Sequence, residues 1–306
     1  MPSTWDTTKT LLTATGKDVL DDDVTSLSAA IAYYTVFSLP PLLVIIVGAA
    51  GLVFGAQAVE QAIIDQVGSA VGPGAADAVG TMIAERSGSL AGGLGAKVAG
   101  FAALLFGATG AFAQLQKALN RAWEVEETEG GGIMSVVLKR VLSFGMVLTI
   151  AFFLLVSLVV SAALTALGGA AEEVVGGGAA VGALLQVANV VVGLVVIAAL
   201  FTVLFRVLPD AEVAWKDAAV GGLFTAVLFT VGKTLIGVYL GTADPGSAFG
   251  AAGALALILV WIYYSALIVL VGAEFTQQWA NRLGEGIRDE GDETHPLAAP
   301  RDPAPY

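Results

Sequence analysis

The chain has 306 residues, 57% of them hydrophobic and only 13% charged, with a mean hydropathy of +0.83. An ordinary soluble domain carries about 25% charged residues, so this composition excludes one, and the apolar content excludes a disordered chain. There is no cysteine, which removes thiolate chemistry and any disulfide framework. The formal net charge is −12.

Taken in chain order, residues 3–20 place Trp5, Leu11, Leu12, Val19 and Leu20 near one helical face, with Lys9 and Lys17 close by. That is the pattern of an interfacial helix lying on the inner membrane surface. Asp21–Asp23 follow, and are expected to cap the unsatisfied N–H groups of the next helix. Residues 1–28 are thus read as a cytoplasmic, interfacial segment.

Runs of about 18 or more apolar residues without charge mark helices that cross a membrane. Six such runs, the fifth interrupted by Lys233, predict spans at about 29–55, 98–118, 141–167, 181–206, 218–240 and 249–274. Alternation with period two is absent, which argues against a β-barrel. The expected fold is all-α and polytopic, a six-helix transmembrane domain over residues 29–280. Between the first two spans, Val59, Ile63, Val67 and Ala70 repeat at helical spacing, as do Val79, Met82, Ile83 and Leu90. Gly72-Pro73-Gly74 separates the two groups, so a short external helical hairpin is predicted there. Residues 281–306 turn polar, acidic and Pro-rich and are expected to be a disordered tail.

Of the 14 Lys and Arg residues, eleven fall in the N-terminal segment, the tail and the connections on their side of the bilayer. Arg86 and Lys97 lie in the opposite connection, and Lys233 lies within a span. Cytoplasmic loops retain the positive charges, so both termini are predicted cytoplasmic in a multi-pass protein of the plasma or inner membrane. No secretory signal is visible, since the chain stays polar to about residue 24. The clustered acids read as a solvated exterior.

The first span contains Tyr33, Tyr34, Ser38, Pro40 and Pro41. Two successive prolines remove two backbone donors and predict a break in the helix that orphans the carbonyls of Val36 and Phe37. Broken helices form binding sites in transporters; a packed kink satisfied by Ser38 is the alternative. Alternating helix direction puts Tyr33, Tyr34, Asn120, Arg206 and Glu274 toward the cytoplasmic half, where Arg206 and Glu274 are expected to pair. Gln186, Asn189 and Lys233 form a secondary group in the outer half. Gly51 and Gly55, Ala103 and Gly107, Ala218 and Gly222, and Gly246 and Gly250 have the small-xxx-small spacing that lets helices approach closely in lipid. The sole histidine, His295, lies in the tail, and no metalloprotease, phosphate-loop, dinucleotide or nucleophile-elbow motif appears in a suitable context. No catalytic residue, metal ligand or cofactor is assigned.

Ala32-Tyr33-Tyr34 through Ser38-Leu39-Pro40-Pro41-Leu42, Ala118-Leu119-Asn120 with Trp123, and Phe205-Arg206-Val207-Leu208-Pro209-Asp210 with Trp215 form one series of motifs. Phe249-Gly250-Ala251-Ala252-Gly253 and Leu259-Val260-Trp261-Ile262-Tyr263-Tyr264 leading to Gly272-Ala273-Glu274 continue it. Together they make residues 20–283 resemble the YihY/BrkB membrane-protein family, also labelled ribonuclease BN-like. The resemblance implies a six-helix inner-membrane protein without a settled biochemical activity, for which transport has been suggested. The ribonuclease label fits poorly, because RNA binding needs a basic surface and this chain is acidic. The functional expectation is a transporter or lipid-handling protein with a cytoplasm-facing polar cavity at the helix 1 break. Tyr33, Tyr34, Ser38, Pro40, Pro41, Asn120, Arg206 and Glu274 would line it, with Arg206 holding an anionic lipid head group or small solute. The expected partners are membrane lipids and a second copy of the chain through small-residue faces, with no nucleic acid. The alternative is a non-catalytic scaffold that organises the envelope.

Overall fold

The computed structural model describes residues 4–71, 73–90, 110–125, 179–243 and 253–289. The span expected at 141–167, most of the span at 98–118, and the pairs Ala103/Gly107 and Gly246/Gly250 lie outside the described residues. In chain order the elements are α1 (Thr4–Asp21), α2 (Val24–Phe54), α3 (Ala56–Val71), α4 (Pro73–Leu90) and α5 (residues 110–122). They continue with α6 (Ala179–Val207), β1 (Ala211–Val213), α7 (Trp215–Ala243), α8 (Gly253–Leu283) and β2 (Ile287–Asp289). Among the described residues, three helices are long and apolar enough to cross a membrane: α6 over Gln186–Val207, α7 over Trp215–Ile236 and α8 over Leu255–Leu283. A shorter apolar stretch, Val24–Pro40, opens α2. The chain divides into two compact units, one of residues 1–22, 119–230 and 271–306, the other of residues 23–118 and 231–270.

In the second unit the helical periodicity of residues 59–90 produces the expected hairpin of α3 and α4. Val36, Leu43 and Val47 of α2 form a buried cluster with Ala75, Val79 and Ile83 of α4 and Ile258 of α8. Val59, Ile63 and Val67 of α3 pack against that cluster. Gly55 makes the turn from α2 into α3 at φ +85°, and its N–H donates to the Gly51 carbonyl at 2.9 Å. A side chain at that φ would be strained.

The proline pair does not break the first long helix: α2 is continuous from Val24 to Phe54. A proline's fixed φ is close to the helical value, and two missing N–H donors weaken a helix locally without ending it when packing holds both sides. Here Val36 precedes the prolines, Leu43 and Val47 follow them, and all three are buried in one cluster with α4. The Ser38 hydroxyl donates to the Thr35 carbonyl at 2.8 Å, not to the carbonyls of Val36 and Phe37. The expected acidic cap also differs. Asp23 stands at the N-cap of α2 in a left-handed conformation (φ 51°, ψ 46°) and makes no side-chain cap bond; its carboxylate accepts a hydrogen bond from the Thr25 hydroxyl at 3.2 Å instead.

In the first unit α7 and α8 interlock through two Gly-xxx-Thr steps. The Thr225 hydroxyl donates to the Gly221 carbonyl at 2.7 Å, and the Thr276 hydroxyl to the Gly272 carbonyl at 2.6 Å. Each threonine lies over the glycine of the other helix, so a Cβ on Gly221 would meet Thr276 and one on Gly272 would meet Thr225. Phe224 stacks on Phe275 beside this crossing at 3.8 Å between centroids. Gly222, flagged by its spacing from Ala218, packs against α6, where a Cβ would stand 2.7 Å from the Ala198 carbonyl oxygen. Small residues admit close helix approach, as lipid-embedded packing requires.

Order extends beyond the predicted end of the last span at 274. Helix α8 runs to Leu283, and Ile287–Asp289 then pairs with β1 as an antiparallel two-stranded ladder. Ala211 faces Asp289, Glu212 faces Arg288 and Val213 faces Ile287. Among the described residues this is a departure from an all-α chain, and it corrects the expected disorder over residues 281–289. The buried Asp217 carboxylate holds the segment by accepting the Glu285 N–H at 2.8 Å. Gly284 lies so close to that carboxylate that a Cβ would collide with it. Residues 290–306, including His295, lie outside the described residues.

Candidate functional site

Asn120 and Trp123 are one helical turn apart at the end of α5 and both are buried. An amide side chain offers a donor and an acceptor together, and Asn120 uses both on one residue. Its Nδ2 donates to Asp210 Oδ2 at 3.0 Å, while its Oδ1 accepts the Asp210 N–H at 2.9 Å. This fixes the turn after α6. The Trp123 indole N–H donates to the Ala273 carbonyl at 3.1 Å. Its ring meets Phe205 edge to face, with centroids 6.0 Å apart. Segments 90 and 150 residues away are thereby fastened to the end of α5.

Glu274 follows Ala273 directly. It is 0% exposed, and neither carboxyl oxygen has a hydrogen-bond partner. Thr276 and Gln277 beside it are also buried. Three further carboxyl groups surround it: Asp22, Asp18 and Glu124. Asp22 comes close without reaching hydrogen-bonding geometry. Gln278, one turn along α8, donates through Nε2 to Asp18, and its Oε1 accepts from Arg282 Nε at 2.7 Å. Arg121 Nε lies 3.5 Å from Asp22 Oδ1. Burial pushes the Asp18 carboxyl above its ordinary range, partly offset by the hydrogen bond from Gln278. Three acids thus gather around the buried Glu274, with Arg121 and Arg282 at the flanks.

The expected pair between Arg206 and Glu274 is not formed. Arg206, at the last turn of α6, is partly exposed and lines a surface cleft of about 130 Å³ with Glu212, Val213, Ala214, Glu285 and Gly286. Two carboxylates on that cleft offset the guanidinium, so it suits an anionic head group poorly. Of the sequence-predicted residues, Asn120 and Glu274 are joined through Trp123 and Ala273. Tyr33, Tyr34, Ser38, Pro40 and Pro41 belong to the other unit. There Tyr33 is 58% exposed, its ring 5.6 Å from Tyr34 and 4.8 Å from Phe37. The Tyr34 ring covers Gly110, leaving no space for a Cβ. Gln186 and Lys233 are exposed, whereas the side chains of Asn189 and Pro41 lie outside the described residues. Sequence reasoning assigned no role to Trp123, Asp210, Asp18 or Gln278, and read Asp22 only as part of a helix cap. The legible signals were the spacing of four from Asp18 to Asp22 and from Glu274 to Gln278 to Arg282, which place each set on one helical face.

A family model described as Virulence factor BrkB matches residues 15–295. A UPF0761 membrane protein of Stenotrophomonas maltophilia (strain K279a) is 31% identical over 262 residues, covering 85% of this chain and 58% of that relative. One from Pseudomonas paraeruginosa (strain DSM 24068 / PA7) is 29% identical over 260 residues, covering 82% and 58%. The chain therefore spans 58% of the length of these curated relatives. No solved structure matches.

Proposed function

Because the chain belongs to the BrkB family of membrane proteins, we propose that it is a multi-pass transporter or lipid-handling protein whose working group is Glu274. The reading includes six membrane-spanning helices and cytoplasmic termini, from the charge-free runs and the distribution of Lys and Arg. One observation carries it: a fully buried, unpartnered carboxyl on a helix otherwise apolar enough to cross a bilayer. Ionisable groups in such helices are expensive, and they recur where solutes, ions or protons pass. The Asn120–Asp210 and Trp123–Ala273 bonds hold the group in place, as a binding site requires. Membrane lipids and small solutes are the substrate classes to test. The sequence carries no recognisable nucleophile–base motif, and the protein is read as a non-enzyme.

Reconstitution into liposomes tests this. Wild-type protein is expected to accelerate lipid scrambling or solute flux over protein-free vesicles. Glu274→Gln should lose most of that gain, and Arg206→Ala, in a separate cleft, should retain it. Wild-type flux equal to empty vesicles for every class refutes the reading. The continuity of α2, with Val36, Leu43 and Val47 on either side of its prolines buried against α4, favours a second reading as a non-transporting scaffold. That reading expects a stable co-purifying protein partner and no aqueous labelling of Ser38→Cys.

A further inference from the structure

Glu274 has no donor to stabilise a carboxylate, although its oxygens are fully buried. A bare carboxylate in such surroundings costs many kcal/mol, and proteins relieve that cost by neutralising the charge. A cation bound by several ligands is one route, but no group of three or more His, Cys, Asp or Glu side chains is placed to hold a metal ion among the described residues. The other route is a proton. We infer that Glu274 is an exchangeable proton-binding site, connected to water through Asp22 and Asp18 at the end of α1. This deepens the proposed function by naming the ligand of the Glu274 site.

The surroundings fit a proton relay. Asp18 and Asp22 come from α1 and the turn after it, and Glu124 from the turn after α5. Arg121 sits beside Asp22, and Gln278 links Arg282 to Asp18. From α6 and α7, Phe205 packs against Trp123 and Thr225 against Gly272. Asp22 is partly exposed and close to Glu274 without a bond to it. A proton delivered from solvent to Asp22 thus has a short second step, in which the Asp22 O–H bond breaks and the Glu274 O–H bond forms. No redox partner or leaving group is involved. The buried indole bond from Trp123 to Ala273 adjoins the site, so a change in the charge of Glu274 reaches a built-in fluorophore.

The test uses the full-length protein in lipid nanodiscs and reads protonation without any flux, so failure of this inference and failure of transport are told apart. Infrared difference spectra between acid and alkaline pH should show a protonated-carboxyl band that titrates in the wild type and is lost in Glu274→Gln. Asp22→Asn should keep the band and move its midpoint to lower pH, because one neighbouring negative charge has gone. Trp fluorescence should titrate in parallel in the wild type, and not in Trp123→Phe. If the Gln variant does not fold, Glu274→Asp supplies the check by shifting the band rather than abolishing it. An unchanged band in a folded Glu274→Gln overturns the inference. So does a wild-type midpoint that moves with sodium concentration at constant ionic strength, which would make the occupant a metal cation.

Discussion

Substituting Gly222 by Ala separates backbone propensity from packing. Ala is favoured over Gly in a helix interior by about 1 kcal/mol, so on local grounds alone the variant should be more stable. Yet the added Cβ would stand 2.7 Å from the Ala198 carbonyl oxygen and 2.8 Å from the Thr202 nitrogen, both backbone atoms of α6. Neither can rotate away, so α6 and α7 must part by roughly 0.7–1 Å to restore contacts of about 3.5 Å, forfeiting a quarter to a half of the dispersion energy across the crossing. Overpacking of this kind costs about 1–3 kcal/mol, and with backbone as the obstacle the upper half of that range applies. The net expectation is a loss of about 1–2 kcal/mol. Gly193→Ala is the internal control, because a Cβ there meets nothing within 4 Å and should leave stability unchanged or raise it by up to about 1 kcal/mol. Unfolding by sodium dodecyl sulfate in mixed micelles, followed by far-ultraviolet ellipticity, ranks the three proteins. A Gly222→Ala variant as stable as Gly193→Ala refutes the packing argument.

Two further outcomes follow from the polar contacts. Asn120→Asp replaces the Nδ2 donor with an acceptor 3.0 Å from an Asp210 oxygen; it should cost about 2 kcal/mol at neutral pH, and much of the loss should return as acidification protonates one of the two carboxyls. Equal loss at acid and neutral pH in the same micelle assay counts against that account. Asp18 has its folded-state pKa raised, chiefly by burial, so its contribution to stability is fully present below the ordinary carboxylate pKa and is lost as pH rises through the raised value. Asp18→Asn should therefore be more stable than wild type at neutral pH, with the difference vanishing in acid; the opposite pH trend in matched unfolding curves disproves it.

The long helices were legible because their cause is local. Charge-free runs between Asp23 and Glu60 or between Asp217 and Lys233 announce themselves, as does the 3–4 spacing of Val59, Ile63 and Val67. Glu274 was legible for a related reason, as an acid closing an apolar run. What misled was also local. The proline pair carries a real penalty within its own turn, but its outcome depends on Ala75, Val79 and Ile83, some forty residues downstream, packing against α2. Strands of three residues leave no periodic trace, so the pairing of Ala211–Val213 with Ile287–Asp289 was invisible until the chain returned to the base of α7. The environment of Glu274 was hidden for the same reason. Arg206 matched it in expected depth, yet α6 turns at Asp210 and takes the guanidinium elsewhere. Of the carboxyl groups that do surround it, Asp18 and Asp22 come from α1 and the turn after it, a segment whose apolar residues suggested a membrane-surface role rather than a place beside a buried acid.

The length of α8 bears on where that acid resides. At a rise of 1.5 Å per residue, its 31 residues extend roughly 46 Å, against about 30 Å of hydrocarbon. A rod that enters the oil near Gly253 has surplus enough for its final ten or so residues to stand clear of it, and this overhang begins at Glu274 and ends in Arg282 and Leu283. Under the proposed six-span reading, the acid then occupies the rim rather than the midplane. In that reading the buried acid meets the solvent's acidity at the water-facing end of the helix, by way of the partly exposed Asp22.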